Sequence, residues 1–140
     1  MSDRPIVLIV DDEERFRSTM RKLLNAEGLQ ASICGSAIQA LEELRKNHYD
    51  IVILDVRMPE MTGVEALPKI KQIDPTIEVI ILTGHASIET AKSIMKSGAY
   101  DYLLKPYSIE TLLEKIEAAY DRKISRKQLT NRPTGGSYST

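Results

Sequence analysis

Asp55 ends a short apolar run, Ile51 to Leu54, and is followed by Met58-Pro59 and Thr62-Gly63. An uninterrupted apolar run of that length reads as a strand buried on both faces. The turn residues after it swing the backbone away and leave the carboxylate at the rim. In open α/β folds that rim, at the carboxyl ends of the strands, is where ligands bind. Taken alone, a strand-ending Asp merely caps a turn. Three further expected strands end in the same manner, however: Ile6 to Val10 at Asp11-Asp12, Ile77 to Leu82 at Thr83-Gly84, and Tyr102 to Leu104 at Lys105-Pro106. Each terminal residue has an innocent role as an N-cap, a turn residue or a solvated charge. Parallel strands open all four ends at one edge, so three carboxylates, a hydroxyl and an ammonium gather in one cleft.

The chemistry open to this set is narrow. Clustered carboxylates repel one another, and a divalent cation relieves them; oxygen-only ligands suit Mg²⁺. A carboxylate beside Mg²⁺ can attack phosphorus and form an aspartyl phosphate. Phosphoryl transfer chiefly needs positioning and charge neutralisation, which a metal and Lys105 supply. Thr83 can donate a hydrogen bond to a phosphoryl oxygen, and Gly84 leaves room for the donor. The chain has no glycine-rich phosphate loop, no Gly-Lys-Ser/Thr and no paired His of a metalloenzyme, so nothing in it supports ATP binding. The expected donor is a phosphorylated protein or a small acyl phosphate.

The elements that must position these residues alternate along the chain. After the first strand, Phe16, Met20, Leu23 and Leu24 share one face of a helix that stops at Gly28. Leu29 to Cys34 alternates weakly, as a strand near the sheet edge does. Ser36 with Gln39 forms a capping-box pattern ahead of a helix carrying Ala37, Ala40, Leu41 and Leu44 on one stripe. Val64, Leu67 and Ile70 mark a short helix that Pro68 obliges to begin late or bend. Ile88, Ala91 and Met95 predict a helix closing at Gly98. Ser108 caps a final one with Ile109, Leu112, Leu113, Ile116 and Tyr120 inward. Alternation of this kind predicts an α/β fold, doubly wound, with a five-stranded parallel sheet and helices on both faces. Residues 1–124 are expected to form one domain and residues 125–140 a flexible polar tail.

Composition narrows the function further. The chain has 140 residues, 19 Lys plus Arg against 20 Asp plus Glu, and a net charge of -1. That balance argues against direct nucleic-acid binding or an anionic-membrane partner. A lone cysteine, Cys34, excludes a disulfide framework and reads as a small buried apolar residue. With no apolar targeting region or spanning run, the expected location is cytoplasmic.

Four spaced motifs carry a resemblance: VDDE at Val10 to Glu13, LDVRMPEMTG at Leu54 to Gly63, LTGHA at Leu82 to Ala86, and GAYDYLLKP at Gly98 to Pro106. From about Pro5 to Tyr120 the chain resembles the receiver domain of bacterial two-component response regulators. Its wording is most similar to NtrC-like receivers attached to ATPase-type transcription activators. The resemblance implies a flavodoxin-like strand order, 2-1-3-4-5. It implies that Asp55 accepts a phosphoryl group from a sensor histidine kinase or a phosphotransfer protein. It assigns Asp11, Asp12, Asp55 and the main-chain carbonyl of Arg57 to Mg²⁺, Thr83 and Lys105 to the phosphoryl group, and Thr83 and Tyr102 to a conformational switch. Arg57 and His85 would flank the phosphoryl group and tune its lifetime, and the Lys105-Pro106 bond would be cis.

Other residues invite plainer readings: His48 as a surface loop residue, and Glu114, Lys115, Glu117, Asp121, Arg122 and Lys123 as a solvated face. The expected output is a conformational change controlling a partner or self-association, with a homodimer formed through the Ser87–Ser97 helix, the Tyr102 strand and the Ser108–Asp121 helix. Turnover of an external substrate is not expected. The rival from another class is a Mg²⁺-dependent aspartate-nucleophile phosphatase of the haloacid-dehalogenase type, which wants Asp-x-Asp where this chain has Asp55 and Arg57.

Overall fold

The computed structural model describes residues 4–84 and 88–130. Strands and helices alternate strictly: β1 (Ile6–Val10), α1 (Glu14–Ala26), β2 (Gln30–Cys34), α2 (Ala37–Lys46), β3 (Ile51–Asp55), α3 (Gly63–Ile73), β4 (Glu78–Thr83), α4 (Ile88–Lys96), β5 (Asp101–Leu104) and α5 (Ile109–Thr130). The five strands form one sheet in the order β2-β1-β3-β4-β5, and every pairing is parallel. β3 and β4 are buried along their whole length because helices cover both faces, which is why Ile51 to Leu54 and Val79 to Leu82 read as unbroken apolar runs.

Alternate strand residues feed two cores. Leu8, Val10, Val52, Leu54, Val79 and Ile81 pack against α2, α3 and α4. Val7, Ile9, Ile51, Ile53, Ile80 and Leu82 pack against α1 and α5 through Met20, Leu24, Leu112, Ile116 and Ala119. Gly28 (φ 88°) and Gly98 (φ 105°) end α1 and α4 in the left-handed region that glycine tolerates. No helix among the described residues is long and apolar enough to cross a membrane.

Several local expectations change. Leu23 on α1 is 41% exposed and Met95 on α4 is 43% exposed, so the inner residue of α4 is Ile94, which is fully buried. Only half of a capping box forms at α2: Ser36 accepts from the Gln39 N–H, while Gln39 Oε1 accepts from Gly35 instead. The reciprocal box is at α3, between Thr62 and Glu65. This cap starts α3 at Gly63, so Pro68 lies inside the helix and the helix does not begin late. At the other end of the chain, α5 continues through residue 124 to Thr130, so residues 125–130 are helical rather than tail. The tail expected beyond, 131–140, lies outside the described residues, as do His85 and Ser87.

Candidate functional site

The carboxyl ends of β1, β3, β4 and β5 bring Asp11-Asp12, Asp55, Thr83 and Lys105 to one edge of the sheet. Neither Asp11 nor Asp12 caps α1. The N-cap is Glu13, and its side chain makes no capping bond. Asp11 Oδ1 instead accepts from the Glu13 N–H at 2.9 Å, which folds the backbone after β1 and leaves Asp12 exposed at the rim. One oxygen from each of Asp11, Asp12 and Asp55 lies within 4.8 Å of the others.

The other oxygen of Asp11, Oδ2, is buried and has no hydrogen-bond partner. An anionic oxygen left in that condition is costly, and a cation among three convergent carboxylates would satisfy it. All the donors are hard oxygens, so the residues fit Mg²⁺. Burial raises the pKa of both Asp11 and Asp55 above the ordinary carboxylate value. Lys105 and the Arg57 N–H pull Asp55 the other way without cancelling the effect.

Lys105 is not a solvated charge. Its Nζ lies 3.6 Å from Asp55 Oδ1 and 3.7 Å from Asp11 Oδ2, and its side chain is 27% exposed. The ammonium also sits over the Phe16 ring, 4.9 Å from the centroid. Phe16 in turn meets Tyr107 edge-on, with centroids 6.4 Å apart and planes at 83°. The Tyr107 hydroxyl is buried without a partner; burial, and then the charges of Asp11 and Asp55, push its ionisation well up. Thr83 is buried at 3% exposure, and its carbonyl accepts from the Lys105 N–H at 2.8 Å, tying the ends of β4 and β5 together. The bond between Lys105 and Pro106 is cis, as the resemblance implied.

A cleft of about 370 Å³ opens over these groups, lined by Asp12, Glu13, Asp55, Arg57, Gly84 and Lys105. A larger groove of about 860 Å³, lined by Arg4, Leu29, Leu113, Ile116 and Tyr120 among others, lies away from the carboxylates. Tyr102 is half-buried on β5 opposite Ile81 and packs against the α2–α4 core. Arg57 is exposed at the rim.

Three residues here escaped the sequence reading. Phe16 lies under the Lys105 ammonium and Tyr107 packs against Phe16, although Phe16 has the spacing of a core residue. Gly63 has a steric role: a Cβ there would stand 2.5 Å from the Asp55 carbonyl oxygen and 3.0 Å from Val56 Cα. Its N–H donates to the Val56 carbonyl at 3.0 Å, so α3 starts directly against the backbone that carries Asp55. The only sequence signal was a glycine at the first position of an otherwise well-capped helix.

Residues 7–117 match the family described as response regulator receiver domain. The transcriptional regulatory protein ZraR of Klebsiella oxytoca is 38% identical over 128 residues, which cover 91% of this chain and 29% of that protein. The C4-dicarboxylate transport transcriptional regulatory protein DctD of Rhizobium meliloti (strain 1021) is 35% identical over 123 residues, 88% of this chain and 27% of that protein. The chain therefore spans less than a third of the length of these relatives. Among solved structures, the solution structure of the beryllofluoride-activated NtrC4 receiver domain dimer superposes with a TM-score of 0.80 at 35% identity, covering 87% of this chain and 99% of that one. The strand order, the carboxylate edge and these matches agree: this chain belongs to the response regulator receiver domain family, with NtrC-like regulators among its relatives.

Proposed function

We propose that Asp55 is the phosphoacceptor of this receiver, taking its phosphoryl group from a sensor histidine kinase or phosphotransfer protein. The supporting observation is the buried Asp11 Oδ2, which accepts no hydrogen bond, within a triad of carboxylates that Lys105 also faces. A carboxylate oxygen of Asp55 attacks phosphorus, the donor's bond to phosphorus breaks, and its electron pair leaves with the donor. Asp11, Asp12, Asp55 and the Arg57 carbonyl would hold Mg²⁺, which supplies charge neutralisation when bound. Lys105 offers its ammonium to a phosphoryl oxygen, and the Thr83 hydroxyl donates to another.

Thr83 then acts as the switch. Its bond exists only in the phosphorylated state, so it favours one packing of Tyr102 and α4 over the other. Arg57 and His85 are assigned to the lifetime of the adduct, by shaping the approach of the attacking water. The output is control of a partner or of self-association, without turnover of an external substrate. The family match leaves the haloacid-dehalogenase alternative unsupported.

Incubation with Mg²⁺ and acetyl phosphate, followed by intact-mass analysis, tests the central step. The parent should gain one acid-stable, base-labile phosphoryl group, and chelation should prevent it. Asp55→Asn should gain none, because an amide cannot form the acyl phosphate. An undiminished adduct on that variant would place the acceptor elsewhere.

A further inference from the structure

The two ion pairs of Lys105 are loose. At 3.6 and 3.7 Å they lie beyond hydrogen-bond length, whereas Lys123 closes on Asp50 to 2.6 Å at the opposite edge of the sheet. An ammonium has three donors, and with two buried carboxylates in reach it ordinarily closes to a charge-assisted hydrogen bond. The third neighbour of the ammonium is the face of Phe16, 4.9 Å away at its centroid. An aromatic face attracts an ammonium most where little water competes for it.

The ring is itself held in place. Phe16 lies one turn before buried Met20 on α1 and packs against the α1–α5 core, with Tyr107 set edge-on against it. The Tyr107 hydroxyl has no partner, so packing rather than a polar tether sets that ring.

We infer that Phe16, braced by Tyr107, is a positioning residue that draws the Lys105 ammonium back from Asp11 and Asp55. Both carboxylates then stay open to a cation, and the ammonium stays available to a phosphoryl oxygen. Without the ring face, Lys105 falls onto the carboxylates as a tight pair and competes with the cation for them. The role rests on the assignment of Asp55 as phosphoacceptor.

The test compares the parent with Phe16→Leu, which keeps an apolar side chain but no π face, and with Phe16→Tyr, which restores the face. In the metal-free parent, the Lys105 Hε resonances should be displaced upfield by the ring current of Phe16. The displacement should vanish in Phe16→Leu and persist in Phe16→Tyr. Titration with Mg²⁺ alone should show affinity reduced about fivefold in Phe16→Leu and largely recovered in Phe16→Tyr. Phosphorylation by acetyl phosphate at subsaturating Mg²⁺ should follow the same order.

An undisplaced Lys105 signal in the parent, which needs no variant to fold, would overturn the inference. So would parent-like Mg²⁺ affinity in a folded Phe16→Leu. Failure of the proposed function reads differently: the parent then forms no adduct at Asp55 even at saturating Mg²⁺.

Discussion

Asp55 and Asp50 lie at opposite ends of β3 and show how surroundings decide what a buried carboxylate does. Burial opposes ionisation of both. At Asp50 the bonds from Lys123, the Ile6 N–H and His48 outweigh it and hold the pKa below the ordinary value. At Asp55 the loose Lys105 pair does not, and the pKa is raised, as it is at Asp11. A carboxylate whose folded pKa exceeds its unfolded value favours the folded state most below the unfolded value. That contribution is lost as pH rises through the folded value, so at neutral pH the charge destabilises the fold. The metal-free Asp55→Asn protein should therefore melt a few degrees above the parent at neutral pH. The gap should shrink as pH falls through the raised folded value and close below the unfolded one. Mg²⁺ should raise the parent's midpoint more than the variant's. Equal midpoints in chelator at neutral pH would deny the burial penalty. Asp11, Asp12, Asp55, Thr83 and Lys105 were legible in the sequence because each follows an apolar run and parallel strands bring such ends together. Phe16 was not, since an aromatic at core spacing looks the same whether it faces Leu or an ammonium, and Tyr107 follows Pro106 outside any helix or strand, where no periodicity marks it. Gly63 depends on a backbone approach to Asp55 that no periodicity encodes. Cys34, expected to be buried, is half-buried against the core, and burial pushes its thiol up to about 11, so it stays unionised at neutral pH.

α5 is the element whose sequence misleads most. Its charges have the spacing of a solvated face, yet Lys123 is 2% exposed and bonds Asp50 at 2.6 Å. Arg122 holds buried Glu78 through two bonds of 2.8 Å, and Arg126 reaches the same carboxylate at 3.2 Å. Lys71 stands 3.9 Å from Glu78 on the other side. His48, expected as a surface residue, is half exposed but bonds Asp50 at 3.0 Å. Asp50 and Glu78 lie side by side at the amino ends of β3 and β4, where the Glu78 N–H donates to the Asp50 carbonyl at 3.1 Å. The last turns of α5 thus clamp the sheet edge opposite the carboxylate cleft. The strand and helix order was legible because apolar runs and helical stripes are local signals. The pairs made by α5 were not, because each links residues far apart in sequence and a charge run carries no mark of its partner. Removing one partner of a buried pair strands the other charge at a cost of about 3–5 kcal/mol. Lys123→Met should therefore lower unfolding stability by about 3 kcal/mol, with much of the loss recovered by adding Asp50→Asn. The pair's contribution should be present above the unfolded Asp50 value and lost as pH falls through the depressed folded one. Denaturant titration of the two variants and the parent checks this. A loss below about 1 kcal/mol would mean that His48 and the Ile6 N–H satisfy Asp50 without Lys123.

At the scale of the whole molecule, the clamp and the cleft leave one side of the fold free to transmit a change: α4, the edge strand β5 and the neighbouring face of α5. This side exposes Met95 and Leu104, the latter at 50%, within a rim of Lys92, Lys96, Glu110 and Glu114. Asp101, at the start of β5, is paired with Lys115 of α5. An apolar centre with charges of both signs around it suits a two-fold contact, in which each basic residue can meet an acidic one of the other copy. The beryllofluoride-activated NtrC4 receiver, to which this chain is similar, is described as a dimer. Phosphorylation at Asp55 would act on this side only through a contact that differs between states, and the Thr83 hydroxyl is the group proposed to supply it. Sedimentation of the beryllofluoride-treated protein should show dimerisation strengthened about tenfold or more, equivalent to at least about 1.4 kcal/mol of differential affinity. Lys96→Glu should weaken the dimer in treated protein while leaving phosphorylation at Asp55 intact. Thr83→Ala should still be phosphorylated but lose most of the gain in association, because the chemistry survives and the differential contact does not. If the treated parent stays monomeric at concentrations where it is fully modified, this side does not serve self-association. If Thr83→Ala dimerises as the parent does, the signal reaches α4 and β5 by a route other than that hydroxyl.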